Sequence, residues 1–173
     1  IGHMDTGLVE RLPERVIEQI TTVYADSLFD YPPPPHPDAV SVLNSVREKG
    51  YRIALISNTG MTPGVTFRAY MEQLGMLKYF DVLIFSDEVR LAKPSREIFL
   101  QTIAQLGVPT EEVVHVGDHL LIDVLGARLV GLKTIWIETH DERRTKVDVQ
   151  PDVTVASLGQ VDVAIESLAL ASH

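Results

Sequence analysis

Short runs of apolar, mostly branched residues recur along the chain, and segments with helical periodicity lie between them. Alternation of this kind specifies parallel strands joined by right-handed helical crossovers, with helices on both faces of the sheet. The sequence therefore predicts an α/β fold, a Rossmann-like three-layer parallel sheet. The predicted strands are 52–56, 81–85, 113–116, 133–137 and, more weakly, 153–155, and the predicted helices are about 62–74, 96–106, 120–130 and 161–170.

Two further helices are predicted before the first of these strands. Apolar residues three or four apart predict an amphipathic helix over 8–29. The proline-rich segment 31–37 ends it, because proline lacks an amide hydrogen and disfavours helix in the preceding residue. A second helix is predicted over 38–50. We divide the chain into vector-derived residues 1–4, a helical segment with a proline-rich linker over 5–36, and an α/β core over 37–173.

Composition limits the partners that the chain can have. The 173 residues include 24 acidic and 15 basic side chains, and the net charge of −9 opposes binding to nucleic acid or anionic lipid. No apolar stretch approaches the roughly 18 residues of a membrane span. There is no cysteine, which excludes a cysteine nucleophile and is typical of a reducing compartment. We therefore expect a cytoplasmic protein that binds neither nucleic acid nor membranes.

Polar residues follow three of the predicted strands. Ser57 and Asn58 come after the first strand, and Lys93 lies in a loop after the second. Asp118 follows the third strand, and Asp123 lies near the start of the next helix. Because ligands bind beyond the carboxyl ends of parallel strands, these side chains should share one crevice that suits a phosphate and a hard cation such as Mg²⁺. Taken singly, each has a structural explanation, as a turn former, a solvated lysine or a helix cap.

Three segments, taken in order, carry a resemblance to a known family. They are Ile56-Ser57-Asn58-Thr59-Gly60, then Ser86-Asp87-Glu88 leading to Lys93-Pro94 and Glu97-Ile98-Phe99, then His115-Val116-Gly117-Asp118 with Asp123-Val124-Leu125-Gly126-Ala127. In order and spacing, over about residues 37 to 137, they resemble the haloacid dehalogenase superfamily. Most of its members are phosphatases that act through an aspartyl phosphate.

The resemblance implies a role for each candidate residue. Ser57 would hold the phosphoryl group, with Asn58 beside it in the substrate site, and Lys93 would steady both nucleophile and phosphate. Asp118 would bind Mg²⁺, and Asp123 would support that metal site. The implied activity is that of a Mg²⁺-dependent phosphomonoester phosphatase, a hydrolase acting on a small phosphorylated metabolite.

The chain departs from the family where the nucleophile is expected. In the family, a nucleophilic aspartate and a second acid two residues later end a strand far upstream of the serine motif. No such strand occurs here, and Asp5 lacks both the preceding apolar run and the second acid. The segment 5–36 instead resembles the last helix of the family's cap. The absent strand would lie between those that carry Ser57 and Asp118, and we predict that these two pair directly or that a partner chain fills the gap.

A second departure is the segment His119-Leu120-Leu121-Ile122, where the family has more polar residues. An apolar loop is less suited to a hydrated metal ion. We interpret it either as better packing or as a contact surface for whatever occupies the place of the absent strand.

Three interpretations of function stay open. The chain is a phosphatase-like hydrolase that lacks its nucleophile, a non-catalytic binding or regulatory protein that retains the fold, or one part of an enzyme completed by another segment. A response-regulator receiver is excluded, because there the acids precede the hydroxyl and the lysine. The unpartnered helix 8–29 and the exposed sheet edges also predict a homodimer.

Overall fold

Parallel strands alternating with helices form the body of the protein, which confirms the predicted α/β fold. A computed structural model describes residues 11–141 and 147–170. No helix in these two ranges is both long and apolar enough to cross a membrane. The strands are β1 (Ala54–Ser57), β2 (Val82–Phe85), β3 (Val114–Gly117), β4 (Lys133–Ile137) and β5 (Val153–Val155). The α-helices are α1 (Glu14–Asp30), α2 (Ala39–Glu48), α3 (Gly64–Gln73), α4 (Ser86–Val89), α5 (Arg96–Leu106), α6 (Gly126–Arg128) and α7 (Val161–Leu170). A π-helix lies at Leu120–Leu125, and 3₁₀ turns lie at Leu77–Tyr79, Thr110–Glu112 and Leu158–Gln160.

Helices cover both faces of the strands. On one face, Ile98 of α5 is fully buried in a cluster with Ile84 of β2. On the other face, Val42 of α2 and Val161 of α7 pack with Ile135 of β4. Burial of apolar side chains on both faces explains why the strands read as continuous apolar runs rather than as alternating ones.

The strands form two separate sheets. β1 pairs with β2, and β3 pairs with β4, which pairs with β5, all in parallel. No strand pairing joins β1 to β3 in the described part of the chain. Every residue of these two strands is only partly buried, whereas most of β2 is buried. The predicted direct pairing of the strands that lead to Ser57 and Asp118 is therefore wrong.

Helix α5 packs against both sheets. It packs against both β1 and β2, and its Phe99 ring also meets the ring of His115 in β3, with centroids 5.1 Å apart. Because one helix lies over both sheets, moving β1 onto β3 would open the core that Ile98 and Phe99 fill. The facing edges of β1 and β3 thus keep backbone groups that another strand could pair with.

Helix α1 is shorter than the predicted helix, whose residues 8–10 lie outside the described ranges. It begins at Glu14, because Pro13 cannot donate a hydrogen bond inside a longer helix. Its carboxyl end packs against α3, where the Phe29 and Tyr70 rings lie edge to face at 6.4 Å. The Tyr70 hydroxyl donates a hydrogen bond to the Pro33 carbonyl at 2.6 Å. These contacts attach α1 to the α/β core.

We expect the predicted homodimer contact on the outer face of α1. Val23 on this face is 67% exposed and Tyr24 is 37% exposed. We expect light scattering at micromolar concentration to give the mass of a dimer, and Val23→Glu to give that of a monomer. Val163→Glu is the matched control, since that valine is 64% exposed on α7. A monomeric mass for the unmodified chain would contradict the prediction.

The segment after β3 is helical, as predicted, but it starts as a π-helix rather than an α-helix. The His119 carbonyl accepts hydrogen bonds from Asp123 N at 2.8 Å and from Val124 N at 3.3 Å. This wide turn buries Leu120 and Asp123 beside β3. Single π turns of this kind are frequent at functional sites.

Candidate active site

Asp123 lies at the centre of the site and is only 4% exposed. Its Oδ1 accepts a hydrogen bond from Lys93 Nζ at 2.7 Å and lies 3.2 Å from His115 Nε2. Its Oδ2 accepts one from the His119 amide at 3.1 Å. Burial opposes the charged form, but the hydrogen bond from His115 and the charge of Lys93 outweigh it and hold the pKa of Asp123 well below its usual value. Asp123 and Lys93 therefore form a buried ion pair.

Asn58 fixes the loop that carries Lys93. The Asn58 side chain donates from Nδ2 to the Lys93 carbonyl at 2.8 Å, and its Oδ1 accepts from the Lys93 amide at 2.8 Å. The Lys93-Pro94 peptide bond is cis. Both polar groups of Asn58 thus tie the loop after β1 to the loop after β2. The substrate contact predicted for Asn58 stays a prediction.

Ser57 ends β1 and directly precedes Asn58, whose side chain bonds the Lys93 backbone. None of the residues in 11–141 or 147–170 hydrogen-bonds its hydroxyl. The turn that follows is anchored, because Thr59 N donates to Ser86 Oγ at 2.9 Å and Thr59 Oγ1 donates to Asp87 Oδ1 at 2.8 Å. Hydrogen bonds to the start of α4 therefore hold the turn that follows Ser57 in place.

Asp118 directly follows β3. The Trp136 indole, on the adjacent strand β4, donates to the Asp118 carbonyl at 3.2 Å. The preceding residue is Gly117, where an added Cβ would overlap the side chain of Asp123. Because Gly117 has no side chain, Asp123 can pack against the backbone just before Asp118.

The described residues do not form a complete metal site by themselves. No group of three or more His, Asp or Glu side chains in the described ranges is arranged to hold an ion. Both oxygens of Asp123 already accept hydrogen bonds from protein donors. Mg²⁺ binds through one or two carboxylates together with waters and substrate oxygens. The metal-binding role predicted for Asp118 and the supporting role predicted for Asp123 stay predictions.

Two residues of the site were not predicted as functional from the sequence. His115 occurs in the sequence only as part of the motif His115-Val116-Gly117-Asp118, and Trp136 lies inside the predicted strand 133–137. A signal for His115 existed, since it stands two residues before Gly117 and alternate residues of a strand share one face. The side chain of Asp123 packs against that face of β3.

Comparisons with known proteins identify the family of the chain. A family model of the haloacid dehalogenase-like hydrolases matches residues 3–131. The chain belongs to this family. The resemblance inferred from the sequence motifs is therefore confirmed, and the parallel α/β fold is that of a haloacid dehalogenase-like hydrolase.

Relatives in the haloacid dehalogenase-like family include several phosphatases. The chain is 37% identical over 129 residues to the pyrimidine 5′-nucleotidase YjjG of Escherichia coli, covering 74% of this chain and 55% of that protein. It is 31% identical to the phosphoserine phosphatase of Thermus thermophilus, covering 76% and 51%. The crystal structure of a HAD phosphatase from Thermococcus onnurineus matches with a TM-score of 0.70 and 33% identity over 82% of this chain and 64% of that one. The chain spans about half the length of the curated relatives it matches.

Proposed function

We propose that this chain supplies the phosphate-holding part of a phosphomonoester phosphatase, and that another segment supplies the nucleophile. The observation that carries the proposal is the buried Lys93–Asp123 ion pair at 2.7 Å, located at the carboxyl edge where Ser57 ends β1. Phosphoryl transfer depends on positioning and on stabilising negative charge. A fixed ammonium beside a hydroxyl is suited to that task.

Each side chain has a distinct part in this proposal. The Lys93 ammonium, 13% exposed, would meet a phosphoryl oxygen in surroundings where water screens its charge weakly. The Ser57 hydroxyl would donate to a second oxygen. Asn58 would act through Lys93, because both of its polar groups hold the Lys93 backbone.

The two unpaired strand edges support the idea of a completing strand. β1 and β3 lie in two sheets that both contact α5, and among the described residues each of them pairs with one strand only. One parallel strand between them would satisfy backbone groups of both. Its carboxyl end would then reach the edge occupied by Ser57 and Asp118, where a nucleophilic aspartate is needed.

The substrate class follows from what several relatives share. They are named as a pyrimidine 5′-nucleotidase, a glyceraldehyde 3-phosphate phosphatase, a phosphoserine phosphatase and a ribulose-1,5-bisphosphate 5-phosphatase. Their organic groups differ, and the phosphate ester is common to all of them. We therefore propose a small phosphorylated metabolite without choosing its organic part, in a cytoplasmic protein.

Magnesium belongs to the completed site in this proposal. Asp118 would contribute one carboxylate, and the completing strand would contribute further oxygen ligands. The chain by itself is then expected to hold Mg²⁺ only weakly.

Hydrolysis of para-nitrophenyl phosphate tests the proposed function. One sample is the chain itself, and the other is a chimera that adds, at its N-terminus, the part of E. coli YjjG that precedes the matched region. We expect no turnover by the chain above that of its Asp118→Asn variant, and turnover by the chimera in the presence of Mg²⁺.

The Asp118→Asn chimera is the matched control for contaminating phosphatase, and its activity should fall to background. A folded chimera without activity would contradict the phosphatase proposal and favour a non-catalytic binding role. Turnover by the chain alone that disappears in Asp118→Asn would contradict the need for a completing segment.

A further inference from the structure

His115 is a buried histidine that the proposed chemistry does not use. It lies in the middle of β3, its side chain is 12% exposed, and its ring meets the edge of Phe99 at 5.1 Å. Its Nε2 is 3.2 Å from Asp123 Oδ1. Burial, the largest effect, and the nearby charge of Lys93 lower the pKa of His115, against the opposing hydrogen bond to Asp123.

An ionised carboxylate can only accept hydrogen bonds. The 3.2 Å approach of His115 Nε2 to Asp123 Oδ1 therefore makes Nε2 the donor. His115 thus gives Asp123 a hydrogen bond through its Nε2–H.

The hydrogen bond from His115 limits the acceptor positions of Asp123 that are open to Lys93. The ammonium has three N–H groups, and one of them bonds Asp123 Oδ1. His115 occupies the other acceptor position of that oxygen, and the His119 amide bonds Oδ2. Both acceptor positions of Oδ1 are then filled, so this oxygen does not accept a second ammonium proton. If the His115 donor were absent, the ammonium could turn to give Asp123 two hydrogen bonds.

We infer that His115 is a positioning residue, whose Nε2–H bond to Asp123 keeps two protons of the Lys93 ammonium directed towards the phosphoryl group. The inference rests on the proposed function, because it concerns the same anion site. His115 is not a catalytic residue, since it lies beneath Asp123 and does not line the edge where Ser57 ends β1.

Two substitutions separate the hydrogen bond from simple packing. His115→Gln retains an N–H donor near the position of Nε2, whereas His115→Phe retains a buried ring against Phe99 and removes the donor. Binding of inorganic phosphate to the unmodified chain and to each variant is measured by calorimetry. We expect His115→Phe to weaken phosphate binding at least about tenfold, as expected for the loss of one charge-assisted hydrogen bond. The affinity of His115→Gln for phosphate should be within about threefold of that of the unmodified chain.

The proton on His115 Nε2 is measured on the unmodified chain and requires neither a variant nor an anion. Nitrogen-15 NMR of the imidazole is expected to show a protonated Nε2. An unprotonated Nε2, or equal phosphate affinity of His115→Phe and the unmodified chain, would overturn the inference while leaving the proposed function intact. Failure of the unmodified chain to bind phosphate at all would overturn the proposed phosphate site and, with it, the inference.

Discussion

Asp123→Ala is expected to lower the free energy of unfolding by about 3–5 kcal/mol, the usual cost of removing one partner of a buried ion pair. The Lys93 ammonium would lose the acceptor that it contacts at 2.7 Å, and His115 would lose the acceptor of its ring N–H. Lys93 is 13% exposed, so water replaces the lost carboxylate only in part. Urea unfolding followed by circular dichroism measures the difference.

Asp162→Ala is the matched control for this experiment. Asp162 also lies near a lysine, with Lys49 Nζ at 3.5 Å, and accepts a hydrogen bond from Ser45 at 2.7 Å, but its side chain is 21% exposed. Ion pairs that water reaches contribute about 0–1 kcal/mol. Equal losses in the two variants would mean that the Asp123 pair is no more important for stability than one at the surface.

The effect of Asp123→Ala also depends on pH. The pKa of Asp123 is depressed in the folded protein, whereas an unfolded aspartate has a pKa of about 3.9. A depressed pKa contributes stability that is fully present well above about pH 4 and is lost as the pH falls towards the folded-state value. The difference between the unmodified chain and Asp123→Ala should therefore be constant near neutrality and should shrink in acid.

Gly117→Ala is expected to lower the free energy of unfolding by about 1–3 kcal/mol through overpacking. The new methyl group would overlap Cβ and Cγ of Asp123. Asp123 cannot move aside cheaply, because Lys93, His115 and the His119 amide all bond its carboxylate. The same unfolding assay measures this effect, and phosphate binding should weaken with it as Lys93 is displaced.

Gly60→Ala provides the comparison for Gly117→Ala. An added Cβ at position 60 has no atom within 4 Å, and that glycine shows no positive φ. A change within about 0.5 kcal/mol is expected there. If Gly117→Ala were equally harmless, the close contact between position 117 and Asp123 could not be what orders the turn after β3.

Elements with a strong local pattern could be predicted from the sequence. The helix at 96–106 and the strand at 133–137 were predicted with the bounds that α5 and β4 have. In α5, apolar residues recur at helical spacing and Gly107 in the left-handed conformation ends the helix, with φ at 65°. In β4, a short run of branched and aromatic residues is the usual pattern of a buried strand.

Features that depend on distant contacts could not be predicted in the same way. An apolar run shows that a strand is buried but not which strand it pairs with, so the separation of β1 from β3 was missed. Helical periodicity likewise does not distinguish a π turn from an α turn over six residues. Of the candidate site, the residue types at the strand ends were predicted. The bond between His115 and Asp123 was not, because it joins a strand to a turn whose geometry only packing determines.

The indole of Trp136 gives this protein an optical probe of its own. Trp136 is the only tryptophan in the chain, and its N–H bonds the backbone of Asp118. Its emission is sensitive to that hydrogen bond and to the polarity around the ring, so one unlabelled fluorophore reports the state of the Asp118 turn without interference from any other tryptophan. Stopped-flow fluorescence could then follow, in real time, how the turn responds when a completing segment, a metal ion or an anion arrives.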